Sequence, residues 1–208
     1  MIHNSIIIFG GSFNPPHNGH LIIIKKALEK IGLKKIILMP SGLQTLKKNY
    51  DMAPIKDRLA MAKILAKLDP RIEIADIEIK KSYQRRKSYT TETIKELKKQ
   101  YHQTKIYWVI GQDSFEEILA GKWKVGLEIF DQANFIIATR PELKKVPKNI
   151  LAKIKIIKMN CPISSTMIRK FLRQGKSIKK LVPAEILKYI QNKKLYTQDY
   201  ARIKQARS

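Results

Sequence analysis

Between Gly10 and His20 the chain gathers two glycines, a hydroxyl, amides and two imidazoles, in the order Gly10-Gly11-Ser12-Phe13-Asn14-Pro15-Pro16-His17-Asn18-Gly19-His20. The glycines let a ligand approach exposed backbone N–H groups. Pro15-Pro16 stiffens the turn that follows. His17 and His20 lie three apart around a helix start, where free N–H groups and the helix dipole favour an anion. Two imidazoles at such a point can donate to phosphate oxygens. A simple chain reversal after a strand is the plain alternative. Two histidines at this spacing also suit a metal, but no cysteine or carboxylate accompanies them locally. Neither G-x-G-x-x-G nor G-x-x-x-x-G-K-[ST] occurs, which excludes the two commonest phosphate loops.

A second group lies far away in sequence, at Ile163-Ser164-Ser165-Thr166-Met167-Ile168-Arg169. Ser164 or Ser165 can cap a helix here, with hydroxyls and free N–H groups facing a common anion. Arg169 projects one turn further along the same side, as a forked, always charged donor for phosphate. An ordinary serine cap with a solvated arginine is the competing account. In the middle of the chain, Trp123 offers a large π-face to a planar ring. Thr90 and Lys124 can present backbone N–H groups to a carboxylate. Asp113 follows a strand end, where it can accept from a ribose hydroxyl or cap a helix.

The elements that must position these groups alternate. Strands are expected at Ile6–Phe9, Lys35–Leu38, Ile72–Ile74, Lys105–Ile110, Phe135–Ala138 and Ile154–Ile157, where β-branched residues cluster. Helices are expected at Gly19–Ile31, Ile55–Leu68 and Thr91–Tyr101, with a mixed segment from Gln112 to Asp131. Strand alternating with helix predicts an α/β fold: a Rossmann-like, doubly wound parallel sheet with helices on both faces. Beyond the last strand the pattern is helical only, at Ser165–Gln174, closed by Gly175, and Pro183–Asn192, opened by Pro183 in its first turn. The reading is one domain over 1–208, with a core at about 5–160, a helical C-terminal extension at about 161–196, and a frayed basic tail at 197–208.

Composition narrows the class. With 44% hydrophobic residues in a chain of 208, a sizeable core is available, and the chain as a whole is not a disordered basic segment. No apolar run approaches the ~20 residues of a membrane helix, and the N-terminus lacks the basic start of a signal peptide. A lone Cys161 makes no internal disulfide and suits a reducing cytoplasm. Lys+Arg total 42 against 17 Asp+Glu, a net charge of +25 that fits nucleic acid, acidic lipid or polyphosphate. The basic residues are mostly scattered pairs, with one denser knot at Arg85-Arg86-Lys87, and isoleucine is as abundant to the eye as lysine. That joint bias favours a solvated, composition-driven surface over a dedicated partner.

Gly10-Gly11-Ser12-Phe13 followed by His17-Asn18-Gly19-His20 resembles the nucleotidylyltransferase superfamily signature, whose core is H-x-G-H. Ile163 to Arg169 is similar to its second motif, I-S-S-T-x-I-R. Tyr89-Thr90-Thr91-Glu92-Thr93-Ile94, Gly111-Gln112-Asp113-Ser114, Trp123 and the closing Leu195-Tyr196 resemble bacterial nicotinate-nucleotide adenylyltransferases. The similarity runs from about Ser5 to Tyr196. It implies transfer of AMP from ATP to nicotinate mononucleotide, giving deamido-NAD and pyrophosphate, with Mg2+ carried by the phosphates and no protein-held metal.

By the same resemblance, His20, His17 and Arg169 are catalytic, and Gly10, Gly11, Ser12, Phe13, Gly19, Gly111, Ser164, Ser165 and Thr166 join them in binding ATP. Lys47, Thr90, Asp113, Trp123 and Lys124 bind the acceptor. The chain departs from the family at Asn14, usually Asp, at Ser12, commonly Thr, and at Gln44-Thr45-Leu46-Lys47, where a P-P-H-K element is usual. Nicotinamide mononucleotide and phosphopantetheine are the rival acceptors; His17 stands where phosphopantetheine enzymes commonly carry Ser or Thr. A basic RNA-binding module is the rival of another class, but no K/R-G-F/Y-G-F pattern supports it and no nucleic-acid partner is expected. Homo-oligomerisation stays open.

Overall fold

The computed structural model describes residues 5–43, 52–139 and 146–197. Six strands form one sheet: β1 (Ser5–Gly11), β2 (Ile36–Pro40), β3 (Ile72–Ile74), β4 (Lys105–Gly111), β5 (Asn134–Thr139) and β6 (Ile154–Lys158). All neighbours are parallel, in the order β3-β2-β1-β4-β5-β6. This is the doubly wound arrangement, with strand order reversing between β1 and β4. The β-branched runs expected as strands all pair in it.

Side chains alternate across each strand, and the two faces make two cores. Ile7 and Phe9 of β1 with Tyr107 and Val109 of β4 face one way. They pack against α1 (Asn18–Ile31), α2 (Ile55–Lys67), α7 (Ser165–Arg173) and α8 (Ala184–Asn192), through Ile24, Leu65, Ile168 and Ile186 among others. Ile8, Ile106, Trp108 and Ile110 face the other way, against α4 (Thr90–Gln100), α5 (Gln112–Leu119) and α6 (Ile129–Gln132), meeting Ile94, Phe115 and Phe130. Leu195 and Tyr196 belong to the first core, so the end of the helical extension closes over the sheet. Tyr189 of α8 donates to Asp57 Oδ1 of α2 at 2.8 Å, and burial together with that carboxylate pushes its hydroxyl pKa up to about 12.

Three expectations change. Ile77–Tyr83 forms a helix, α3, that the sequence reading passed over. The mixed segment resolves into α5, a 3-10 turn at Gly126–Glu128, and α6. Pro183 stands at the cap of α8 and not in its first turn, with its fixed φ of −57° leading the chain in. Gly175 does follow α7 in a left-handed conformation (φ 67°), where glycine lacks the Cβ penalty. Among the described residues no helix is long and apolar enough to cross a membrane. The expected basic tail lies, from residue 198 on, outside the described residues.

Candidate active site

Two cavities open at the carboxyl ends of β1 and β4, where the strand order reverses. One, of about 500 Å³, is lined by Gly10, Gly11, Ser12, His17, Gly19, His20, Gly111, Asp113, Ser164, Ser165, Thr166 and Arg169 together with Asn14, Cys161 and others. The second, of about 450 Å³, is lined by Ser41, Glu78, Tyr89, Thr90, Trp108, Glu117, Lys122, Trp123 and Lys124 among others. They share Gly10, Gly11 and Ser114. A group crossing from one cavity to the other passes over the end of β1.

The first cavity is built around His20. The His17 backbone N–H donates to His20 Nδ1 at 3.0 Å, so the proton of the neutral ring sits on Nε2, which is left as a donor. Phe9, Phe13 and His17 surround the ring, with centroids 5.7, 5.1 and 3.8 Å away. This burial pulls the His20 pKa down to about 4, and the imidazole is neutral at physiological pH. Gly19 makes the stacking possible: a Cβ there would stand 2.9 Å from His17 Nδ1. Phe13 adopts a left-handed backbone (φ 45°) that a bulky residue rarely holds, with its side chain buried beside His20.

The second sequence motif docks directly on the first. Ser164 caps α7 by accepting from Met167 N at 3.2 Å, while the Ser165 hydroxyl donates to Pro15 O at 2.9 Å. Arg169 donates from Nη1 to Asn14 O at 2.8 Å and from Nη2 to Thr166 Oγ1 at 3.4 Å. Asn14 itself is 3% exposed, and its Oδ1 accepts from Ala53 N at 2.9 Å and from the Tyr196 hydroxyl at 2.7 Å. The amide oxygen of Asn14 therefore supplies an acceptor without the negative charge of the usual Asp. The sequence marks Tyr196 only as part of the closing Leu195-Tyr196; in the fold it braces the first loop.

The second cavity has a buried indole and a partly buried one. A Cβ on Gly10 would lie 2.9 Å from Trp108 Cζ2. The missing side chain at Gly10 therefore makes room for Trp108, in addition to baring backbone. Trp123 donates from Nε1 towards Glu117 Oε2 at 3.5 Å, and Lys124 Nζ sits 4.6 Å over the Tyr89 ring. Glu78 lines the same cavity while largely buried. Burial raises its pKa, opposed by bonds from Thr93 Oγ1 (3.2 Å) and the Gly42 backbone and by the charges of Lys81 and Arg58.

The structure thus brings His17, His20, Arg169 and the rest of the expected ATP group to one cavity, except Phe13, which is buried behind it at 1% exposure, and Thr90, Trp123 and Lys124 to the other. Asp113, expected with the acceptor residues, lines the histidine cavity. It lies exposed in the first turn of α5, whose cap is Gly111. Lys47 and the Gln44–Leu46 departure fall outside the described residues. Trp108, Glu78 and Ser41 were missed, and Ser114, read only as part of a motif, lines both cavities. A tryptophan in a strand carries no local mark distinguishing a cavity wall from core, and Trp108 is 2% exposed.

The cytidylyltransferase-like family matches residues 8–171, a span that includes both motifs. The chain belongs to that family. Among solved structures, this member of the cytidylyltransferase-like family is similar to Plasmodium falciparum nicotinic acid mononucleotide adenylyltransferase complexed with NaAD. The two are 24% identical, with a TM-score of 0.77 over 93% of this chain and 98% of that one. The same enzyme complexed with APC gives 23% and 0.74 over the same shares. A putative nicotinate-nucleotide adenylyltransferase from Vibrio parahaemolyticus gives 21% and 0.65 over 93% and 95%. These likenesses show a shared fold.

Proposed function

We propose that the protein transfers the adenylyl group of ATP to nicotinate mononucleotide, forming deamido-NAD and releasing pyrophosphate. The observation that carries this reading is the pair of cavities meeting over Gly10-Gly11, one rich in phosphate-type donors and the other in aromatic faces. Family membership and a fold shared with an adenylyltransferase bearing NaAD support it.

A phosphate oxygen of the acceptor attacks the α-phosphorus of ATP. The bond from that phosphorus to the bridging oxygen breaks, and its electrons leave with pyrophosphate. No proton need move and no covalent enzyme intermediate forms, so the protein acts by positioning and charge stabilisation. His20 donates from Nε2 to the α-phosphate as charge builds there, and His17 braces the neighbouring phosphates. Arg169, with Ser164, Ser165 and Thr166 at the start of α7, draws charge towards the leaving pyrophosphate. Trp123 stacks on the pyridine ring, and the backbone N–H groups of Thr90 and Lys124 take its carboxylate. Lys47 is assigned to the acceptor phosphate by the family resemblance alone. The site works within a single domain spanning residues 1–208.

Asp113 is the one carboxylate among the described residues lining the histidine cavity, and no cluster of three ligating side chains occurs among them. That donor set fits Mg2+ carried by the phosphate oxygens and water, which neutralises triphosphate charge when bound. A pyrophosphate-release assay with ATP and each of nicotinate mononucleotide, nicotinamide mononucleotide and phosphopantetheine tests the reading. Turnover is expected to be fastest with nicotinate mononucleotide; turnover only with another acceptor overturns it.

A further inference from the structure

Arg58 sits on α2, 1% exposed, and lines neither cavity. Its Nη1 donates to Ser12 O at 3.0 Å and to Ser41 O at 2.7 Å, and its Nη2 donates to Gly42 O at 3.3 Å. Ser12 lines the histidine cavity and Ser41 the aromatic one. The two segments touch elsewhere through Ser41 N donating to Gly11 O at 2.8 Å. One guanidinium thus ties the loop after β1 to the loop after β2, at the place where the two cavities meet.

The second loop is held equally firmly from its far side. A Cβ on Gly42 would fall 2.0 Å from Ser82 Oγ and 2.3 Å from Glu78 O, so α3 packs directly on the backbone there. Leu43 N also donates to Ser82 Oγ at 2.7 Å. Ser41–Leu43 is therefore gripped between Arg58 and α3. Burying a cation is costly unless its donors are satisfied. Burial does lower the Arg58 pKa, with Tyr196 and Glu78 opposing the shift. An ammonium could not reproduce this geometry, because only the rigid fork reaches three carbonyls in fixed directions.

We propose that Arg58 is a positioning residue that sets the separation of the two substrates, and hence the line of attack on the α-phosphorus, without touching either. The proposal rests on the adenylyl-transfer reading given above. Misplacing reacting groups by about 1 Å can cost 10²-fold in rate while each ligand still binds. A role in stability alone would not produce that separation of binding from rate.

The test compares wild type with Arg58→Lys and Arg58→Gln, each checked for fold by circular dichroism. Calorimetry measures binding of α,β-methylene-ATP alone and of nicotinate mononucleotide alone, and rapid quench measures single-turnover transfer. In a folded variant each ligand is expected to bind within about threefold of wild type, while transfer slows by roughly 100-fold. Transfer near the wild-type rate overturns the proposal. So does a rate loss matched by equal loss of binding, or failure of both variants to fold, since either reduces Arg58 to a stability role. If wild type itself transfers nothing from ATP to nicotinate mononucleotide, the functional reading fails instead, a result visible before any variant is made.

Discussion

The histidine cavity and the tryptophan cavity are similar in size, about 500 and 450 Å³, but they are assembled in opposite ways. The first draws most of its polar groups from two continuous segments, Gly10–His20 and Ile163–Arg169. Within each, one turn and one helix start dictate where the side chains go. The second takes Ser41 from beyond β2, Glu78 from α3, Thr90 from α4, Trp108 from β4, Glu117 from α5 and Trp123 from the turn after it. Short runs contribute at Ser88–Thr91 and Lys122–Val125, but the rest of its lining is scattered along the chain. Under the proposed function, the difference teaches that phosphate chemistry in this fold is largely a local property, whereas acceptor recognition draws on more distant elements.

Substitutions separate the two regions. The largest effect is expected from His20→Ala, which removes a donor made ready by the His17 amide. Turnover should fall by about 10²- to 10³-fold, on the order of 2.7–4 kcal/mol. Acceptor binding should be unchanged, as checked by steady-state kinetics and calorimetry.

Next comes the pH response of the same residue. His20 titrates at about 4 in the fold against an ordinary 6.5, so the unfolded chain takes up a proton before the folded one does. Its contribution to stability is fully present above 6.5 and is lost as pH falls towards 4, by up to about 3 kcal/mol. Urea melts of wild type and His20→Asn should converge over that interval, and the turnover of wild type should show no His20 inflection between pH 6 and 8.

On the acceptor side, Trp123→Ala should raise KM for nicotinate mononucleotide roughly tenfold, the scale of one lost stacking contact, and leave KM for ATP within twofold. A matching rise in both constants would erase the distinction between the cavities. The smallest effect belongs to Tyr196→Phe, which strips one hydrogen bond from the Asn14 side-chain oxygen, Oδ1. It should cost about 1 kcal/mol in thermal or urea stability, with turnover lowered only a few-fold.

The same contrast explains what could be read from the chain. The strands were legible because β-branched runs at Ile6–Phe9 or Phe135–Ala138 leave little choice in a parallel sheet buried on both faces. Helix α3 was not, since Ile77-Glu78-Ile79-Lys80 alternates like a strand and its fixing contact is the distant Gly42. His17, His20 and Arg169 were legible because their types and spacing match two family motifs, each continuous in sequence. Trp108 and Arg58 did not: an indole in a strand and an arginine in an amphipathic helix look ordinary until Gly10 and three loop carbonyls are brought to them. Charge was a poor guide. Among the described residues lining the two cavities only Arg169, Lys122 and Lys124 carry a fixed positive charge, so most of the +25 lies elsewhere.

In the proposed reaction one dinucleotide spans both cavities, and a crystal structure with deamido-NAD bound tests this most directly. The adenylate half is expected against His17, His20 and Asp113, the pyridine ring against Trp123, and the bridging phosphates over Gly10-Gly11. A product lying wholly within one cavity, or with its pyridine ring remote from Trp123, would contradict it.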